Sequence, residues 1–113
     1  METTAALRAL GALAQDTRLA IFRLLVQAGP GGRAAGEIAA ALDIAPATLS
    51  FHLAQLSNAG LLAARQNGRF IHYSARFDAM NELIGFLTEN CCGGNACAPA
   101  TIACPPARKG TKR

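Results

Sequence analysis

The apolar positions along the chain follow two different periods. From residue 3 to residue 14, Ala6, Leu7, Leu10, Leu13 and Ala14 recur at helical spacing. Asp16 is a candidate cap for a second helix, whose apolar set is Leu19, Ile21, Phe22, Leu24, Leu25 and Val26. Apolar residues surround most of that helix, which predicts the central and most buried one. The stretch GPGG, residues 29–32, stops it. A short third helix, GEIAAALD, comes next, and Pro46 is placed for the first turn of a fourth, PATLSFHLAQLSNAG. There Leu49, Leu53 and Leu56 stand at i, i+4 and i+7, and Gly60 supplies a stop.

Beyond Gly60 the period changes. LLAARQ and RFIHYSA flank Asn67-Gly68, a strong hairpin signal. A last helix from about Asp78 to Glu89 carries Met80, Leu83, Ile84 and Leu87. The fold class predicted is mainly α with a small β-hairpin. The short helices between residues 35 and 58 form a helix-turn-helix, and the hairpin after them is its wing.

Composition narrows the compartment. No apolar run in the 113 residues reaches the roughly 18 that a membrane span needs. The N-terminus lacks a basic leader region and carries Glu2, so the expected location is cytoplasmic. The net charge of +4 is misleading taken whole. Arg108, Lys109, Lys112 and Arg113 sit in the last six residues, and without them seven arginines balance seven acids. That basic tail reads as solvated and disordered. More telling is a local bias: from Ile44 to Phe77 there is no acid, while Arg65, Arg69 and Arg76 lie there with His52 and His72.

Three segments carry a family resemblance: LGALAQDTRLAIFRLL near the second helix, TLSFHLAQLSNAGLL across the fourth, and RQNGRFIHYS in the hairpin. Together they resemble the ArsR/SmtB family of small winged-helix metalloregulatory repressors, over about residues 7 to 90. The resemblance implies a homodimer, sealed by the first and last helices, that sits on operator DNA and leaves when its inducer binds. It divides the chain into a DNA-binding and dimerisation domain, residues 1–90, and a cysteine-containing arm with the basic tail, residues 91–113. One departure matters. Arsenic-responsive members carry a Cys-Val-Cys motif in the third helix, where this chain reads GEIAAAL. The family also places sensing sites at the C-terminal end of the last helix.

In the fourth helix, Thr48, Ser50, His52 and Gln55 stand between the leucines and are expected to face outward. In a helix followed by a wing, such residues suit base edges and phosphates in a major groove. Phe51 is expected to bury against the wing; the alternative is contact with a thymine methyl. Arg65 and Arg69 flank the wing tip and suit backbone or minor-groove contact. His52 and His72 have no second ligand nearby in sequence, so neither is assigned to a metal.

All four cysteines lie between residues 91 and 104, two of them adjacent: Cys91, Cys92, Cys97 and Cys104. Structural zinc favours two pairs spaced by two to four residues, which adjacent thiols match poorly. A soft trivalent ion, As(III) or Sb(III), needs three thiolates in a pyramid. The expected ligands are Cys91, Cys92 and Cys97, with the Gly93-Gly94 turn folding the third back and Cys104 in reserve. A redox switch uses the same thiols differently, and another soft metal such as Cd(II), Hg(II) or Zn(II) is a further alternative. An enzyme is not expected: these thiols follow a helix C-terminus, where the dipole disfavours a thiolate nucleophile, and no base accompanies them.

Overall fold

The computed structural model describes residues 1–94. Five helices and a small sheet follow one another as α1 (Thr3–Leu13), α2 (Asp16–Ala28), β1 (Arg33–Ala34), α3 (Ala35–Leu42), α4 (Pro46–Asn58), β2 (Leu62–Asn67), β3 (Phe70–Ala75) and α5 (Phe77–Leu87). A 3-10 turn, Cys91–Gly94, comes last. Among the described residues, no helix is long and apolar enough to cross a membrane. The core is built from Ile21, Leu25, Ile38, Leu49, Leu56 and Leu61, each almost fully buried.

α1 departs from expectation in which stripe it buries. Ala6, Ala9 and Ala12 face the core, whereas Leu7 is 63% exposed and Leu10 38%. Methyl-sized side chains at i, i+3 and i+6 let α1 lie close against its neighbours, which leaves the leucines on the outer side. α2 buries Ile21, Phe22 and Leu25 as expected, but Leu19 is exposed. Its cap is Gln15 rather than Asp16: the Gln15 Oε1 accepts the Arg18 N–H at 2.8 Å, and Asp16 is the first helical residue. The longer side chain of Gln15 reaches the N–H three residues on, as a cap must.

GPGG does more than end α2. It leads into β1, which pairs antiparallel with β3 through Arg33↔Tyr73 and Ala34↔His72, so the sheet has three strands in the order β1-β3-β2. Gly32 has φ +70, and a Cβ there would collide with the Tyr73 carbonyl; only glycine lets the backbone come so close. α3 ends at Asp43, whose left-handed φ of 54 turns the chain toward α4. Pro46 opens α4 as expected. α4 ends where Gly60 turns left-handed and the Leu61 N–H returns to the Leu56 carbonyl at 3.1 Å.

The wing pairs Leu62 with Ala75 through to Asn67 with Phe70, so its two-residue loop is Gly68-Arg69, one residue later than expected. Of the two loop residues, only Gly68 has positive φ, +66. That is the II′ pattern, with glycine first, rather than the I′ pattern that Asn-Gly favours. Every residue from Ala63 to Ile71 is exposed, so the wing stands clear of the body.

α5 buries Leu83 and half-buries Met80, Ile84 and Phe86. An Arg76–Asp78 ion pair at 2.8 Å closes its first turn. The helix stops at Leu87. The Thr88 hydroxyl donates to the Ile84 carbonyl at 2.8 Å, and Asn90 is left-handed at φ 58. Spacing alone would have let Cys91 continue the stripe of Met80, Ile84 and Leu87, but the helix ends before it. It sits in the following 3-10 turn, exposed, its N–H donating to the Thr88 carbonyl at 2.9 Å.

Candidate nucleic-acid interface

α4 presents two faces. Leu49, His52, Leu53 and Leu56 point into the core. Ala47, Phe51, Ala54 and Asn58, at i, i+4, i+7 and i+11, are all exposed and form the centre of the opposite stripe. Thr48, Ser50 and Gln55 are exposed on either side of that stripe, as expected.

Two residues reverse their expected roles. His52 is 9% exposed. It stands three residues after Leu49 and four before Leu56, a register that turns it inward with the leucines. Its Nδ1 lies 3.3 Å from the Arg18 Nη1, and the Arg18 Nε donates to the Ala12 carbonyl at 2.7 Å. A guanidinium can only donate, so the His52 Nδ1 accepts. Arg18 thus ties the C-terminal end of α1 to the inner face of α4. Phe51, by contrast, does not bury against the wing. It is 58% exposed, touching the edge of the His52 ring at a centroid distance of 5.4 Å.

Arg65 on β2 and Arg69 in the wing loop are both exposed, with no carboxylate paired to either among the described residues. Arg76 is different. Its hydrogen bond holds the Asp78 carboxyl below the ordinary range, and the pair masks part of its charge. Against α4 a cleft of about 330 Å³ is lined by Arg8, Gly11, Arg18, Gln55 and Asn58. Cations thus stand both in this cleft against α4 and on the wing that follows it, and the sequence between Asp43 and Asp78 contributes no acid. Arg8 was not singled out by sequence reasoning; its only signal was a cation on the first helix.

His72 is half-buried on β3, opposite Arg65. Among the described residues no three His, Cys, Asp or Glu side chains converge as a metal site. Cys97 and Cys104 lie outside the described residues, as does the side chain of Cys92.

A helix-turn-helix domain model matches residues 13–65, from the end of α1 into β2. The HTH-type transcriptional regulator YceK of Bacillus subtilis (strain 168) is 36% identical over 77 residues, 67% of this chain and 76% of that protein. The chain belongs to the helix-turn-helix transcriptional regulators. Solved structures of winged, ArsR-like regulators are similar to it in fold. An ArsR-like regulator from Rhodococcus sp. RHA1 superposes with a TM-score of 0.67 at 26% identity, over 74% of this chain and 76% of its own. A structure described as a possible transcriptional regulator for arsenical resistance gives 0.61 at 28%, over 70% and 79%. A homodimeric winged helix-turn-helix DNA-binding domain from Mycobacterium bovis gives 0.62 at 28%, over 85% and 89%. The matched relatives are regulators rather than enzymes.

Proposed function

We propose that this regulator is a homodimeric repressor that holds operator DNA with α4 and the wing and lets go when As(III) or Sb(III) is taken up by Cys91, Cys92 and Cys97. The observation that carries the DNA part is the exposed face of α4 beside an acid-free wing. Thr48, Ser50 and Gln55 serve base edges and phosphates, Gln55 suiting adenine. Arg65 and Arg69 hold backbone. His52 leaves this set, because it is spent inside against Arg18.

The dimer reading is supported by apolar groups that the protomer leaves uncovered. Leu7 and Leu10 on α1 and Leu87 on α5 are exposed, and α1 packs beside α5. A second copy covers such a seam, and the Mycobacterium bovis neighbour is described as homodimeric.

The soft-ion reading is supported by thiol chemistry and placement. All four cysteines follow α5, and Cys91 is exposed in the turn just past it. Arsenous acid exchanges its three hydroxyl groups for three thiolate sulfurs, each thiol proton leaving with a hydroxyl as water. A ring closed at the end of α5 acts on the seam and so on the separation of the two α4 helices. Consecutive major grooves demand about 34 Å between half-sites, so a small rotation suffices. Coupling of this kind is typically about 1–3 kcal/mol.

The test is operator binding by anisotropy, with reduced protein and a panel of As(III), Sb(III), Cd(II), Hg(II), Zn(II) and peroxide. As(III) releases the parent; Cys91→Ser, Cys92→Ser and Cys97→Ser each keep DNA binding and lose release; Cys104→Ser responds like the parent. Release by peroxide alone assigns the thiols to redox sensing. Release by As(III) from a chain truncated after Asn90 refutes the thiol site.

A further inference from the structure

We infer that Phe51 reads the 5-methyl group of a thymine in each operator half-site, an inference that rests on the DNA-binding role of α4. The starting point is register. The outward stripe of α4 is Ala47, Phe51, Ala54 and Asn58, so its centre is apolar over its first three members. The hydrogen-bonding residues Ser50 and Gln55 stand to either side of it. An aromatic ring 58% exposed on a helix whose inner face is closely packed contributes little to the fold. Its burial is available to whatever α4 meets.

Charge selects that occupant. Arg8 and Arg18 line a cleft against Gln55 and Asn58 of α4, the wing that follows carries the exposed Arg65 and Arg69, and the sequence supplies no acid from Ile44 to Phe77. Duplex DNA complements this surface. An apolar ring at the centre of a face pressed into the major groove meets a floor of donors and acceptors. Among the four unmodified bases, that floor holds one apolar group, the C5-methyl of thymine. Any other base beneath Phe51 leaves its own polar edge desolvated against the ring, which is unfavourable. Phe51 therefore favours thymine both by contact with the methyl and by excluding the alternatives.

The size of the effect follows from the group removed. Burying one methyl is worth about 0.8 kcal/mol, or roughly fourfold in affinity. Two symmetric half-sites give about 15-fold.

The experiment selects an operator from random duplex DNA with the full-length protein. It then replaces each thymine in turn by deoxyuridine, which deletes only the methyl group. The expected result is one thymine position per half-site at which deoxyuridine weakens binding about fourfold. Phe51→Ala binds the all-thymine operator more weakly and shows no further loss at that position, whereas Phe51→Leu keeps much of the sensitivity. Thermal melts of both variants match the parent, because the ring is not part of the core. Sequence-specific binding that is indifferent to deoxyuridine at every position overturns the thymine reading and leaves the repressor standing. Equal deoxyuridine sensitivity in the parent and Phe51→Ala also overturns it, since the methyl is then read by another residue. Absence of sequence-specific binding by the parent overturns both.

Discussion

α4 and the wing both face the proposed duplex, and they are held in place by different means. Four side chains of α4, Leu49, His52, Leu53 and Leu56, are buried in the body. The wing has none between Ala63 and Ile71 and is held by its ladder and a glycine turn. A helix pinned by packed side chains holds its outer atoms to a fixed position, which reading bases requires. A hairpin tip with no buried side chain can follow a phosphate chain whose position varies with sequence. On the proposed DNA-binding role, this difference suits α4 to discrimination and the wing to grip.

The largest effect is expected from loosening α4. Leu56→Ala removes a fully buried side chain and is expected to cost about 2–5 kcal/mol of stability. DNA affinity falls with the folded fraction, and the specificity ratio falls further if α4 shifts. Denaturant melts with binding to operator and non-operator DNA measure both. Next comes His52→Ala, which removes the acceptor facing Arg18 and leaves a charged donor without that partner. A loss of about 1–3 kcal/mol of stability is expected. If stability is unchanged and only DNA affinity falls, His52 contacts DNA after all.

On the wing the sign of the contrast reverses. Arg69→Ala leaves the melt unchanged, since the side chain is exposed in a loop. It reduces the slope of log affinity against log salt by about one and weakens operator and non-operator DNA alike. A selective loss on operator DNA moves discrimination onto the wing. The smallest effect concerns the Arg76–Asp78 pair that closes the wing's far end. The hydrogen bond from Arg76 lowers the folded-state pKa of Asp78, so the pair's contribution is present above the ordinary carboxylate range and is lost as pH falls below it. Both groups are exposed. Asp78→Asn therefore changes the melting temperature slightly at pH 7, and the difference from the parent fades as the pH falls below the ordinary carboxylate range.

Most of the fold was legible because periodic leucines, a proline at a helix start and glycines at its stops are local signals. The misassignments came where residue type was weighed above register. In α4 the spacing itself turns His52 inward with Leu49 and Leu56 and turns Phe51 outward with Ala47 and Ala54; expecting histidine to be wet and phenylalanine dry overrode it. α1 was ambiguous in a different way. It carries an alanine stripe and a leucine stripe side by side, and which one meets the core depends on how closely neighbouring helices approach. β1 is two residues long and has no period to read. The Arg18–His52 contact joins residues 34 positions apart, beyond any local pattern. Of the proposed inducer site, the sequence showed the thiols and their place after the last helix, and the structure adds the 3-10 turn that holds Cys91.

The two stripes of α1 also bear on how such a regulator diverges. Its alanines are buried in the protomer, while Leu7 and Leu10 are exposed on the outer side. In the proposed dimer, substitutions on the outer stripe would alter which copies pair without unfolding either one, since surface changes of this kind usually cost less than about 0.5 kcal/mol of monomer stability. After a gene duplication, two sister proteins are free to drift apart in partner choice through these positions alone. Each would keep an unchanged reading head, and mixed dimers would disappear before either lineage lost its fold.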